Sequence, residues 1–309
     1  MNPSPSARSP ETARNERLDA LRQHRRLRIR RRGRRAYIRS VYSLPSLATL
    51  GNAVCGFAAM YVATLDQRDP GSDPLTIRLA ADSFTFACYF IFLAMVFDAI
   101  DGRLARLTRH TTDFGGQLDS LADVISFGAA PALIALQVFK QFGPDLPDAI
   151  TRVIWCFGAV YVACAALRLA RFNVSNEHGE QHHFSFLGLP SPAAGGLIAS
   201  VILLHQSIAL ADSGTILSWL ANSIVISLPI ALLGAGLLMV SHIRYPHFVN
   251  QYMRGKRSLA RLLTLFSLVL LTIVAHKYVM AAAMVFFVLL GPMSYAYARF
   301  RRSDSIAVR

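Results

Sequence analysis

The sequence predicts an all-α integral membrane protein, a bundle of about eight transmembrane helices. Apolar residues make up 53% of the 309 residues and charged residues only 16%, which is too apolar for a soluble globular domain. Runs of about 20 mostly apolar residues, the length that crosses a bilayer, recur along the chain. The predicted spans are 44–65, 79–102, 119–139, 152–172, 191–210, 216–240, 259–276 and 278–298.

The basic residues predict the orientation of these spans, because loops rich in Lys and Arg stay on the cytoplasmic side. With the N-terminus inside, that side receives the basic N-terminal segment, three arginines after the second span and most basic residues beyond residue 240. The other side receives only Arg68, Arg78, Lys140, Arg152 and Lys277. Both termini are therefore expected in the cytoplasm, with the chain in a bacterial-type inner membrane.

Three regions are expected: a basic, disordered arm over 1–40, a transmembrane domain over 41–302 that carries the candidate functional residues, and a short tail over 303–309. The arm holds 13 Arg against three acidic residues. Beside a transmembrane helix, such an arm is expected to bind anionic membrane lipids rather than nucleic acid. Alternatively, it serves only to set the topology.

Four aspartates form the strongest functional signal. They stand in the pattern D-x-x-D-G-x-x-A-R-x8-G-x-x-x-D-x-x-x-D, which runs from Asp98 to Asp123. An ionised carboxylate beside hydrocarbon is costly unless it is paired. On helices, Asp98 and Asp101 share one face, and so do Asp119 and Asp123. Two such faces opposed across a short turn make an oxygen-lined site that suits Mg²⁺ or Mn²⁺.

This pattern resembles the signature of the CDP-alcohol phosphotransferase family at every fixed position. Members are membrane enzymes that move a phosphatidyl group from a CDP-linked lipid to an alcohol. The resemblance implies two divalent cations, one held by Asp98, Asp101 and Asp119 and the other by Asp98, Asp119 and Asp123. It also implies that Asp123 accepts the proton of the alcohol, which requires loose coordination of its carboxylate.

Five further residues are candidates for binding the nucleotide lipid. Gly102 has no side chain and so permits close approach, and Arg106 offers a planar cation suited to phosphate. Arg106 is alternatively a membrane anchor. The resemblance adds Thr112, and it adds Thr49 and Asn52 from the segment P-x-x-x-T-x-x-N-x-x-x-G. Thr49 and Asn52 share a helix face, and the alternative for them is hydrogen bonding to another helix.

Three segments, 126–132, 168–173 and 186–195, resemble the phosphatidylserine synthase branch of the family, and the resemblance extends over about 42–240. That branch makes phosphatidylserine and CMP from CDP-diacylglycerol and L-serine. Arg168 and Arg171 are candidates for binding the serine carboxylate, because an arginine pairs with a carboxylate through two parallel hydrogen bonds. Alternatively, they are anchors at a cytoplasmic helix end. A homodimer is expected from the resemblance only.

Other functions remain as alternatives. The same chemistry with choline, inositol phosphate or glycerol phosphate as acceptor would keep the aspartates. A secondary transporter would place its acids near the middle of the bilayer in repeated positions, whereas here they cluster once. The histidines at 178, 182 and 183 match no compact zinc motif and indicate a solvated loop.

Overall fold

The computed structural model describes residues 46–65, 82–108, 113–177, 188–210, 215–243, 245 and 276–307. Apart from turns and short connections, these residues are helical. The helices are α1 (Ser46–Ala63), α2 (Ser83–Thr108), α3 (Asp113–Asp123), α4 (Ala130–Phe142), α5 (Asp148–Glu177), α6 (Ser191–Leu210), α7 (Thr215–Val240) and α8 (His276–Ala307). A π-helical turn at Val124–Ala129, called here the π-turn, joins α3 to α4 without a break.

Seven helical segments within the described residues are long and apolar enough to cross a membrane. They correspond to seven of the eight predicted spans, which confirms the all-helical membrane architecture. The remaining prediction, 259–276, lies almost entirely outside the described residues, as does the basic arm. Several helices extend beyond their predicted spans: α2 continues to Thr108 rather than 102, α8 continues to Ala307 rather than 298, and the helix of the third span begins at Asp113 rather than 119. The extra turns carry glycines and polar residues, so hydropathy alone does not detect them.

Helix α6 is the central element of the bundle. It packs against α2, α4, α7, α8 and the π-turn. Its middle is fully enclosed, with Ile198, Ile202 and Leu203 showing no exposed surface. Lipid tails are as apolar as these side chains, so close packing rather than water exclusion holds the helices together. The outer surface of the bundle, by contrast, exposes large apolar side chains such as Trp155 and Leu167, as a lipid-facing surface should.

The segment before α6 is tied to the end of α7. Gly188 adopts a positive φ of 85°, a conformation that side-chain-bearing residues rarely adopt. Its N–H donates to the carbonyl of Ile243 at 2.9 Å, and the N–H of Leu189 donates to the carbonyl of Leu238 at 3.0 Å. These bonds fix the point at which α6 begins, which lies beside the candidate site.

The π-turn is the one described departure from regular α-helix between Asp113 and Phe142. Widening the helix by one residue per turn disturbs the normal pattern of backbone hydrogen bonds. The hydroxyl of Tyr161, on α5, donates to the carbonyl of Phe127 at 2.9 Å, and both side chains are completely buried. Because the π-turn follows Asp123 directly, its geometry sets the direction in which the end of α3 points.

Candidate active site

Two helices bring the aspartates together. The last turns of α2 carry Asp98 and Asp101, and α3 carries Asp119 and ends at Asp123. One carboxylate oxygen from each of Asp98, Asp119 and Asp123 lies within 4.8 Å of the other two. These three residues are called the carboxylate triad below. Three of the four aspartates that the helical spacing predicted to face one another therefore converge.

Asp101 stands beside the triad. Its side chain is 4% exposed, and it interacts electrostatically with Asp98 and Asp119. One oxygen of Asp101 and one of Asp119 are buried without a hydrogen-bond partner among the described residues. A buried oxygen of this kind is costly unless a donor or a cation approaches it. The expected role of Asp101 as a ligand thus remains a prediction that its unsatisfied oxygen supports.

The charges of the triad require compensation. Two carboxylate charges 4.8 Å apart repel each other by about 3.5 kcal/mol at an effective dielectric constant of about 20. Three such pairs make the fully ionised triad unfavourable without nearby cations. Hard carboxylate oxygens without sulfur or imidazole ligands are the donor set preferred by Mg²⁺ and Mn²⁺. The residues present therefore fit the divalent cations that the sequence predicted.

Helix α1 contributes two buried polar side chains to the aspartates. The side chain of Thr49, 4% exposed, is hydrogen-bonded to Asp101. The Nδ2 atom of Asn52, which has no exposed surface, donates to Oδ1 of Asp123 at 3.0 Å. The two residues predicted to bind the nucleotide thus lie at the carboxylates, where they also orient Asp101 and Asp123.

A close helix contact holds α1 in this register. A Cβ atom added to Gly56 would lie 2.4 Å from Oγ and 2.7 Å from the Cα of Ser126, in the π-turn. The Ser126 hydroxyl donates to the backbone carbonyl of Asn52 at 2.8 Å. Gly56 is therefore required for packing, and Ser126 links the π-turn to α1, whose Asn52 is bonded to Asp123. The sequence pattern contained both residues but indicated neither contact.

Of the three other candidates for nucleotide binding, only Gly102 lies wholly within the described residues. A Cβ atom added to Gly102 would meet no atom of the described residues within 4 Å, so among these residues the space beside this turn of α2 is open to a ligand. Arg106 lies on α2, one turn beyond Gly102, but its side chain is outside the described residues. Thr112 is also outside them. Their roles remain predictions.

The two candidate arginines of α5 occupy different environments. Arg168 is partly buried and interacts electrostatically with Asp98 and Asp123, and its Nη1 atom donates to Oγ of Ser191 at 2.8 Å. Its Nε atom is buried and has no hydrogen-bond partner in the described part of the chain. Arg171, one turn later, is exposed. Of the pair, Arg168 is the one that lies beside the aspartates.

A polar network joins α3 to the end of α5. The Ser120 hydroxyl donates to Oδ1 of Asn173 at 3.1 Å, and Nδ2 of Asn173 donates to Oε1 of Gln117 at 3.3 Å. Asn173 therefore steadies the helix that carries Asp119 and Asp123. Asn173 ends the segment 168–173, but the sequence gave no signal for its partners, since neither polar residue on α3 belongs to the aspartate pattern.

Fold and site together define a helical integral membrane protein with a buried carboxylate cluster suited to divalent cations. Comparison with known proteins agrees: the model of the CDP-alcohol phosphatidyltransferase family matches residues 42–232. The chain belongs to this family, whose members generally use divalent metals.

Individual relatives are similar over most of the same region. A protein of Helicobacter pylori is 34% identical over 212 residues, covering 68% of this chain and 75% of the relative. One of Bacillus subtilis is 31% identical over 206 residues, covering 66% of this chain and 90% of the relative. One of Methanocaldococcus jannaschii is 38% identical over 161 residues, covering 52% of this chain and 64% of the relative. All three are named CDP-diacylglycerol–serine O-phosphatidyltransferase.

Proposed function

We propose that this protein transfers the phosphatidyl group of CDP-diacylglycerol to the hydroxyl of L-serine, giving phosphatidylserine and CMP. The observation that carries the proposal is the convergence of three aspartates within 4.8 Å at the junction of α2 and α3. The names of the relatives support serine as the acceptor. The partly buried guanidinium of Arg168 beside the triad supports an acceptor that bears a carboxylate.

Two divalent cations, Mg²⁺ or Mn²⁺, would be held by the four aspartates. In this assignment Asp98, Asp101 and Asp119 hold one, and Asp98, Asp119 and Asp123 hold the other. When bound, such ions neutralise the pyrophosphate and favour ionisation of the attacking hydroxyl. The buried, unpaired oxygens of Asp101 and Asp119 support this arrangement, because each has capacity for a cation.

The reaction forms a bond between the serine oxygen and the β-phosphorus, and it breaks the bond from that phosphorus to the oxygen leaving with CMP. Asp123 accepts the proton of the serine hydroxyl. The amide of Asn52, 3.0 Å from one oxygen of Asp123, fixes the orientation of the carboxylate. This fixed orientation saves the entropy that a mobile base would lose in the transition state.

The nucleotide lipid would be bound between the start of α1 and the end of α2. Gly102 leaves open space for its approach, and Thr49 and Asn52 lie against the aspartates. Asn52 also has a buried Oδ1 atom without a partner in the described segments, which suits a donor group of the ligand. Arg106 and Thr112 complete the proposed set, with Arg106 neutralising phosphate.

The acceptor would be held by Arg168, with Arg171 as the outer member of the pair. Arg168 lies next to the aspartates and keeps an unpaired buried donor, which a carboxylate would satisfy. In this proposal the carboxylate of serine lies at Arg168 and its hydroxyl points towards Asp123. Orientation of this kind accounts for a large share of the rate in reactions between two bound substrates.

The proposal also includes the membrane orientation of the site, the lipids bound by the N-terminal arm and the oligomeric state. The site would face the cytoplasm at the inner membrane, where a water-soluble nucleotide product can leave. The distribution of basic residues supports this orientation. The arm over 1–40 would bind anionic lipids of that membrane, and the protein would function as a homodimer.

The test is CMP release by purified protein in detergent, with CDP-diacylglycerol, Mn²⁺ or Mg²⁺ and one candidate acceptor at a time. L-serine should release CMP and form phosphatidylserine, and the Asp98→Asn variant should not. CMP release only with choline, inositol phosphate or glycerol phosphate would contradict serine as acceptor while retaining the phosphotransfer chemistry. Absence of CMP release with every acceptor would contradict the proposal as a whole.

A further inference from the structure

Ser191 lies at the buried start of α6, beside Arg168. It is the first residue of α6, and its side chain has no exposed surface. The carbonyl of Pro190 accepts from the N–H of Ala194 at 3.0 Å, so Pro190 is the N-cap residue and Ser191 the first helical residue after it. Here the hydroxyl accepts a hydrogen bond from Nη1 of Arg168, a cation on a different helix, at 2.8 Å.

The backbone around Ser191 is held firmly. Pro190 and Pro192 flank it, and the proline ring restricts φ at both positions. The N–H groups of Gly188 and Leu189 are bound to carbonyls beyond and at the end of α7, as described above. The hydroxyl therefore has little freedom to move, and it is a fixed point against which the longer arginine side chain can be oriented.

The contact engages the Nη1 side of the guanidinium, and Nε lies on the opposite edge. Nη1 lies on the side of the group nearest Cδ, whereas Nε and Nη2 form the edge that pairs with a carboxylate through two parallel hydrogen bonds. Nε of Arg168 is buried and unpaired among the residues that the structure describes. Its neighbours Asp98 and Asp123 place this arginine beside the proposed reaction centre.

We propose that Ser191 is a positioning residue for acceptor recognition: by holding Nη1 of Arg168, it presents the Nε edge to the acceptor carboxylate. The inference rests on the proposed function and extends it to a residue that does not itself touch substrate. A flexible arginine would bind the same carboxylate, but it would first lose its own side-chain freedom. Because Ser191 already restricts the side chain of Arg168, less of that freedom is lost when serine binds.

The experiment compares Ser191→Ala with Ser200→Ala in detergent-purified protein. Ser200 is a matched control on the same helix: it is equally buried, and its hydroxyl donates to the carbonyl of Leu197 at 2.8 Å within α6. Ser191→Ala should raise the KM for serine about five- to twenty-fold, with kcat and the KM for CDP-diacylglycerol changed less than about twofold, as expected for lost ground-state binding. Ser200→Ala should leave all three constants within about twofold of wild type.

Two further measurements separate positioning from a general structural role. Wild type should prefer serine over serinamide, which lacks the carboxylate, and Ser191→Ala should reduce that preference at least about fivefold. Introduced into an Arg168→Ala background, the same change should have no additional effect on the KM for serine, because the two residues act as a unit. Ser191→Cys keeps nearly the same side-chain shape but has a weaker hydrogen-bond acceptor, so it should also raise the KM for serine. This variant replaces Ser191→Ala in the test if the alanine variant does not fold.

The outcomes distinguish this inference from the proposed function. If wild type releases no CMP with serine, the proposed function fails. If wild type uses serine but Ser191→Ala and Ser191→Cys keep its KM and its preference over serinamide, the positioning role is overturned and the proposed function stands. A loss of kcat or thermal stability without a change in the KM for serine would likewise overturn it, because that result describes a packing residue.

Discussion

Replacing Gly56 by alanine should impair catalysis although residue 56 touches no substrate. The added Cβ would lie 2.7 Å from the backbone Cα of Ser126. Carbon atoms in contact stay about 3.5 Å or more apart, so α1 or the π-turn must move by about 0.8 Å. Such overpacking against backbone typically costs about 1–3 kcal/mol of stability.

The displacement should reach the catalytic carboxylate. Asn52 lies one helical turn before Gly56, and its bond to Asp123 is already 3.0 Å long. A shift of about 0.8 Å takes this bond beyond hydrogen-bonding distance, and it also strains the bond from Ser126 to the carbonyl of Asn52. Without the bond that orients it, Asp123 should accept the proton of the serine hydroxyl less efficiently. We expect kcat to fall at least tenfold, equivalent to about 1.4 kcal/mol.

The assay is CMP release together with thermal unfolding in detergent. The matched control is Gly234→Ala, since an added Cβ at Gly234, within α7, would meet no atom of the described part of the chain within 4 Å. The control should keep wild-type kcat and unfold at the same or a higher temperature, because alanine favours helix over glycine. Wild-type kcat in Gly56→Ala would refute the coupling of α1 packing to the geometry of Asp123.

Three further substitutions test separate parts of the site. Gly102→Ala should leave thermal stability unchanged, since the space there is open, but should raise the KM for CDP-diacylglycerol at least tenfold; an unchanged KM would mean that no ligand approaches Gly102. Arg168→Ala should raise the KM for serine at least tenfold and leave the KM for CDP-diacylglycerol unchanged, because truncating a charged hydrogen-bonded pair costs about 2–5 kcal/mol. The same KM for serine in wild type and variant would mean that Arg168 is only a membrane anchor. Tyr161→Phe should lower stability by about 1–3 kcal/mol in denaturation measurements, because the buried carbonyl of Phe127 loses its partner, and unchanged stability would contradict the importance of that bond.

The helices and the aspartate cluster were predictable because both follow from short-range rules. The bilayer requires apolar runs of a minimum length, and these runs locate the spans. Helical spacing puts Asp98 beside Asp101 and Asp119 beside Asp123, so two adjoining helix ends suffice to bring the carboxylates together. The start of α3 at Asp113 was missed because its first turns are not apolar.

The contacts that orient the site were not predictable in the same way. Nothing in Val124–Ala129 indicates a π-turn, and its carbonyl is bound by Tyr161, 34 positions along the chain from Phe127. Gly56 ends the motif that contains Thr49 and Asn52, but that motif gave no sign of its close packing against Ser126. Such contacts depend on how helices meet in three dimensions, which periodicity and spacing do not encode.

Binding of Mn²⁺ tests the central claim, that the aspartates of α2 and α3 hold the divalent cations on which the activity depends. The measurement is the number of Mn²⁺ ions bound per chain, by electron paramagnetic resonance with CDP-diacylglycerol present, together with CMP release. Asp145→Asn is the control, since that aspartate is exposed in the turn before α5.

Wild type and Asp145→Asn should each bind two ions per chain. Asp119→Asn should bind one at most and keep less than about a tenth of the turnover, because it loses a charge that both ions would share; that residual rate corresponds to about 1.4 kcal/mol. Two ions bound by Asp119→Asn with unchanged affinity, or full turnover of wild type in the presence of a chelator, would contradict the account.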